Sequence, residues 1–194
     1  PVSPRFADPR DILMIAAPLA IPDVIAFEPR VFKDARGFFF ESFNARSFAE
    51  AVGRPVAFVQ DNFSHSAKGV LRGMHYQLAP KAEDKIVRCL RGALLDVIVD
   101  LRPDSPTFLK HFSIELSAEN RTMLFVPKGF AHGFLTLTDE TEAFYLVTEF
   151  YSPQHERGLR YNDPRLAIRW PFEPAVISDK DRNHPDFDPK IHLP

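Results

Sequence analysis

The sequence predicts an all-β protein, a jelly-roll barrel or sandwich. Three observations carry that expectation: 18 prolines, 19 phenylalanines, and a run of eight strand-like segments between residues 56 and 151. Proline at this density opposes long helices, because its ring fixes φ and removes a backbone donor. Phe, Val and Ile favour pleated, half-buried surfaces. The segments are "VAFVQDNFS", "VLRGMHYQ", "KIVRCL", "ALLDVIVDL", "HFSIEL", "RTMLFVP", "HGFLTLT" and "EAFYLVTEFY". Breaks such as "RG", "RPDSPT", "SAEN" and "PKG" are turn chemistry, and eight strands at this spacing suit a jelly roll.

The flanking segments read differently. Residues 1 to 20 are expected to form an irregular arm, and 21 to 194 a single domain. Within it "SFNARSFAEAVG" is the one convincing helix: Phe48, Ala51 and Val52 share a face, Asn44 is placed to cap the start and Gly53 to end it. From 152 onward the chain is proline-rich and weakly periodic, a tail to wrap over the barrel.

Composition narrows the function. With 194 residues, 45% hydrophobic and 26% charged, the chain sustains one ordinary core. A formal charge of −2 argues against a nucleic-acid face, which needs a Lys/Arg excess to replace counterions. No apolar run approaches the roughly 20 residues of a membrane span, and the N-terminal apolar stretch is too short for an export signal. The expected location is the cytoplasm, where the single Cys89 suits a reducing compartment as a small buried residue.

Polar chemistry concentrates in a few places. In "VLRGMHYQ" strict alternation separates Arg72 from His75, unless Gly73 forms a bulge that re-aims the residues beyond it. The plain alternative is a surface arginine and a satisfied core histidine. In "PKGFAHGF" a Pro-x-Gly-x-x-His turn resembles the second half of the pattern of cupins, which are themselves small jelly rolls. Metal-binding cupins supply His-x-His and then Glu from the first half. Here that stretch reads His75, Gln77 and, near the later acidic position, Lys85, a cation that repels a divalent ion. No metal is expected.

Tyr145 and Tyr151 share a parity in "EAFYLVTEFY" but stand roughly 20 Å apart if the strand is straight. Asp96, on the face of Leu94 and Ile98, needs Arg72, Lys85 or a histidine beside it. "ISDKDRNHPDFD" gathers Asp179, Lys180, Asp181, Arg182 and His184, a run that by itself reads as a solvated turn.

Taken together, "DARGFFFESF", "VQDNFS", "VLRGMHYQ", "KIVRCLRG", "DVIVDLRPDSPTF", "PKGFAHGF", "FYLVTEFYSP" and "SDKD" resemble, in order from about 22 to 188, the dTDP-4-dehydrorhamnose 3,5-epimerase family. That resemblance implies a cupin-like, metal-free and cofactor-free homodimer in the pathway to dTDP-L-rhamnose. It implies inversion of C3 and C5 of a dTDP-4-keto-6-deoxyhexose. By motif position, His75 is the general base, Asp181 its partner, Lys85 and Arg72 lie near the ketone, and Tyr145 is the proton donor. Arg36, Phe39 and Glu41 are implied nucleotide contacts, from the chain itself or a partner subunit. Further substrate contacts are implied at Gln60, Asn62, His132, Tyr151 and Lys180. Lys128 in "PKGFAHGF" departs from the acidic residue of the family.

Each inverted centre adjoins the C4 ketone, so proton removal develops an enolate charge that a cation such as Lys85 stabilises. Inversion also needs a proton from the opposite face, which one histidine cannot supply. Three alternatives share parts of the pattern: a mono-epimerase acting at C3 or C5 only, a metal-dependent cupin oxygenase using His75 and His132, and a non-catalytic nucleotide-sugar binder.

Overall fold

Alternation along the central segments organises the molecule. In the computed structural model, which describes residues 14–21 and 23–193, the chain opens with β1 (Met14–Pro18), β2 (Ile25–Pro29), β3 (Phe32–Asp34), β4 (Gly37–Phe39) and helix α1 (Ala45–Val52). The strands expected from the sequence then follow as β5 (Gln60–Ser66), β6 (Val70–Gln77), β7 (Lys85–Arg91), β8 (Ala93–Asp100), β9 (His111–Ser117), β10 (Met123–Val126), β11 (Phe130–Thr136) and β12 (Thr141–Val147). The tail contributes only β13 (Glu156–Gly158), β14 (Val176–Ile177), α2 (Asp179–Arg182) and α3 (Pro189–His192).

Antiparallel pairing builds one sheet in the order β1-β2-β10-β7-β12-β5 and a second in the order β13-β6-β11-β8-β9, with β14 added parallel to β6. A separate hairpin joins β3 to β4. The two large sheets face each other as a jelly-roll sandwich. Val87, Leu124 and Ala143 of the first meet Leu94, Ile98, Leu116 and Phe134 of the second in a common apolar layer.

Both outer faces are covered as well. Because side chains alternate, the opposite parity of the first sheet presents Phe27, Ile86, Met123 and Phe125, onto which α1 lays Phe48. The helix begins where Asn44 accepts hydrogen bonds from the Arg46 and Ser47 amides. It stops at Gly53, whose φ of 78° lies in the left-handed region. The tail covers the second sheet, setting Leu159, Leu166 and Phe187 against Met74, Val97 and Val99.

One part of the expected arm is regular. Residues 14–18 pair with β2 as an edge strand, since "MIAAP" is an apolar run with no turn residue before Pro18. Residues 1–13 lie outside the described ones. Among the described residues no helix is long and apolar enough to cross a membrane.

Phe48 is 1% exposed and meets four rings, those of Phe27, Phe43, Phe58 and Phe125. Phe48→Ala is therefore expected to lower unfolding free energy by about 3–5 kcal/mol, read from urea midpoints at constant slope.

Candidate active site

Strand register brings the polar residues together. In the first sheet Asn62, Tyr145 and Val87 stand abreast, and in the next same-face row stand Gln60, Val147 and Lys85. Directly opposed residues share a face, and Val87 belongs to the layer between the sheets, so all six side chains point inward. In the second sheet His75, His132 and Ile98 form one row and Arg72, Phe134 and Asp96 another.

The second pair of rows depends on a bulge. Arg72 to His75 spans three steps of β6 opposite two steps of β11, from Phe134 to His132. Gly73 absorbs the extra residue with φ of 135°, where a Cβ would stand 2.5 Å from the Gly133 Cα. Without the bulge, Arg72 and His75 would face opposite sides of the sheet.

The inward residues enclose a cavity of about 570 Å³, lined among others by Asn62, Arg72, His75, Lys85, His132, Tyr145, Lys180 and Asp181. An adjoining pocket of about 160 Å³ shares Asn62, His75, Lys85 and Tyr145 and adds Gln60, Glu83, Tyr151 and Glu156.

Asp181 enters from the tail. The Ser178 hydroxyl caps α2 by accepting from the Asp181 amide at 3.1 Å, and the turn delivers the carboxylate to β6. There Oδ2 accepts from the Gly73 amide at 3.1 Å, while Oδ1 stands 2.7 Å from His75 Nε2. Burial by itself would raise the Asp181 pKa; the neighbouring His184 and His75 imidazoles and the Gly73 amide outweigh it and hold the carboxyl well below the usual range.

A group with a lowered folded pKa contributes stability above its unfolded value and loses it as pH falls through the folded one. The stability advantage of the wild type over Asp181→Asn should therefore shrink as the pH is lowered below about 4, a trend that urea midpoints at successive pH values would reveal.

Other polar groups are paired. Lys85 Nζ lies 3.1 Å from Glu83 Oε1, both nearly buried. Lys180 contacts both oxygens of Glu156, and the Tyr151 hydroxyl donates to Glu156 at 2.8 Å. Arg72 donates to Ser66 Oγ at 3.2 Å. Asp96 finds the histidine it needs: its Oδ2 is 2.8 Å from His132 Nε2. Burial and the charge of Glu83, countered by Arg72, raise the pKa of Tyr145 and keep its phenol protonated. An imidazole beside a carboxylate, a lysine and a protonated phenol thus converge on one cavity.

The family model described as dTDP-4-dehydrorhamnose 3,5-epimerase matches residues 18–189. The chain belongs to the dTDP-4-dehydrorhamnose 3,5-epimerase family. It is 56% identical over 167 residues to an epimerase of that name from Shigella flexneri, covering 86% of this chain and 92% of the relative. A dTDP-4-dehydrorhamnose 3-epimerase from Streptomyces niveus is 39% identical over 166 residues, with 86% and 80% covered. Among solved structures, the Legionella pneumophila dTDP-6-deoxy-D-glucose-3,5-epimerase in complex with dTDP-4-keto-L-rhamnose superposes with a TM-score of 0.87 at 42% identity, over 92% of this chain and 97% of that one.

Of the residues this family membership implicates, those on the central strands and α2 reach the cavity or its annex. Arg36, Phe39 and Glu41 do not reach it within this chain. They lie on or just beyond the β3–β4 hairpin, which pairs with neither large sheet. Arg36 pairs with Asp34 and is 90% exposed, Phe39 is 71% exposed, and Glu41 accepts from Asn44 near the start of α1. Tyr145 and Tyr151, which a straight strand would hold well apart, border the same annex because β12 ends at Val147 and the chain then leaves the strand.

Two residues at the site, Glu83 and Glu156, have no place in the sequence expectations, and His184 enters them only as part of a charged run. Glu83 left a faint signal as an acid two positions before Lys85. Glu156 left none. Gln77, which stands where metal-binding cupins place a ligand, donates to the Lys81 and Phe150 carbonyls and accepts from the Ser152 amide, so its amide is committed to holding loops.

Proposed function

We propose that the chain converts dTDP-4-keto-6-deoxy-D-glucose to dTDP-4-keto-L-rhamnose by inverting C3 and C5. The observation that carries this is the His75–Asp181 pair at 2.7 Å on one wall of the cavity, with Tyr145 and Lys85 abreast of Asn62 and Gln60 on the other. His75 takes the proton next to the ketone, and Asp181 fixes its tautomer and stabilises the imidazolium. Lys85 faces the developing enolate oxygen. The protonated phenol of Tyr145 returns a proton from the opposite wall, which inverts the centre. Arg72 and Lys180 draw the diphosphate.

The test is incubation with the keto sugar in deuterated water, followed by proton NMR. Deuterium at both C3 and C5 supports the double inversion, deuterium at one supports a mono-epimerase, and a bound sugar with no exchange removes the reading. The 56% identity to a 3,5-epimerase, against 39% to a 3-epimerase, favours two centres.

The same reading places the enzyme in the cytoplasm, with its free Cys89, as a homodimer in which the β3–β4 hairpin of one subunit completes the nucleotide site of the other. Phe38 and Phe39, 58% and 71% exposed, are apolar side chains that its second strand leaves uncovered within this chain. Mixing His75→Ala with Phe39→Ala subunits is then expected to restore turnover, because each mixed dimer regains one intact site. Additive activity of the two inactive variants would refute the shared site.

A further inference from the structure

His184 is a largely buried polar group that the proposed proton transfers do not touch. Its side chain is 11% exposed, and its Nε2 has no hydrogen-bond partner, lying 3.5 Å from Asp181 Oδ1. The ring stands edge-on to that of His75, centroids 5.6 Å apart and planes at 82°. One donor atom each from His75, Asp181 and His184 can be chosen so that all lie within 4.8 Å of one another.

Local structure holds this arrangement. Asp181 and His184 are three residues apart on one turn, which presents both side chains on the same side. Binding of Oδ2 to the Gly73 amide turns Oδ1 toward the two imidazoles. Gly158, opposite His75 in the β13–β6 ladder, gives the His184 ring its floor, and a Cβ there would collide with it.

Two imidazole nitrogens and a carboxylate oxygen, with a cavity in front for water, form the donor set of an open tetrahedral zinc site. Bonds of about 2.0–2.1 Å in that geometry separate ligand atoms by about 3.4 Å, and the observed 2.7 and 3.5 Å to Asp181 Oδ1 bracket that value. The objection that nearby cations repel a metal loses force here. Lys85 is paired with Glu83 and Lys180 with Glu156, leaving Arg72, beside Ser66, as the other cation of the cavity lining among the described residues.

We propose that His75, Asp181 and His184 bind Zn²⁺ reversibly, and that the ion, bound through His75 Nε2, leaves the imidazole's one proton on Nδ1, so that the catalytic base has no lone pair to offer the substrate and the epimerase is switched off. The ion takes no part in turnover. Each imidazole enters the site neutral, with one N–H kept and any second proton released to solvent, and nitrogen donors select Zn²⁺ over Mg²⁺. The inhibitory consequence rests on His75 as the base, whereas binding is measured without substrate, so failure of one is distinguishable from failure of the other.

The experiment is calorimetric titration of tag-free, chelator-stripped full-length protein with ZnCl₂, alongside His184→Ala and His184→Gln, each checked by thermal unfolding. One micromolar site is expected in the wild type, weakened at least about tenfold in both variants, with no heat from MgCl₂. Co²⁺ should give the visible bands of a four- or five-coordinate ion in the wild type, a readout that needs no variant to fold. Inhibition by Zn²⁺, reversed by chelator and relieved in His184→Gln, completes the expected result. Absence of wild-type binding, equal binding by a folded variant, or full turnover with the site loaded would overturn the proposal.

Discussion

His75→Ala is expected to lower deuterium incorporation at C3 and C5 by at least about 10³-fold, within the range by which a positioned base accelerates proton transfer. Loss should fall on both centres together, because one imidazole serves both. The unfolding midpoint should change little: His75 is half-buried at the cavity wall, and its removal leaves Asp181 still held by the Gly73 amide and close to His184. A variant that retains exchange at either carbon would mean that a second base operates there. Measurement of exchange rather than product formation matters, since it reports proton removal before any partition of the intermediate.

Lys85 gives the second large effect, and its neighbour complicates the experiment. Lys85→Met removes the cation from the enolate oxygen and should reduce kcat by about 10²–10³-fold with a smaller change in KM, because the interaction strengthens only as charge develops. It also strands Glu83, whose side chain is only 11% exposed, and an unpaired buried carboxylate is destabilising by about 3–5 kcal/mol. The double variant Glu83→Gln/Lys85→Met separates the two. Stability should recover in the double variant while turnover stays low. Recovery of turnover along with stability would show that Lys85 acts through the fold and not on the oxygen.

The fold was legible because its causes are local. Strand parity and turn chemistry determine β5 to β12, and Asn44 and Gly53 bound the helix without reference to anything distant. The bulge at Gly73 was legible for the same reason, since only a glycine tolerates φ of 135° with Gly133 pressed against it. Asp96 was half legible: a carboxylate among Leu94 and Ile98 demands a partner, but register alone selects His132.

The site was less legible. Asp181 lies 106 residues from His75, and no spacing rule joins them; the family resemblance supplied that pair. Glu156 reaches the annex from a weakly patterned tail, where period carries no information. The edge strand at 14–18 was missed because five residues ending in proline look like coil until β2 is beside them to accept their hydrogen bonds.

The route by which the tail reaches β6 bears on the order of events during synthesis. A ribosome that has released residues up to β12 has already made the imidazole, the ammonium and the phenol, yet the carboxylate that pairs with the imidazole is still inside the exit tunnel or unwritten. Such a nascent chain has the strands that line the cavity but lacks Val176, Ser178, Lys180 and Asp181, which close it from the tail. The last piece translated is thus the one whose Ile177 pairs beside Leu71 and whose Asp181 meets His75.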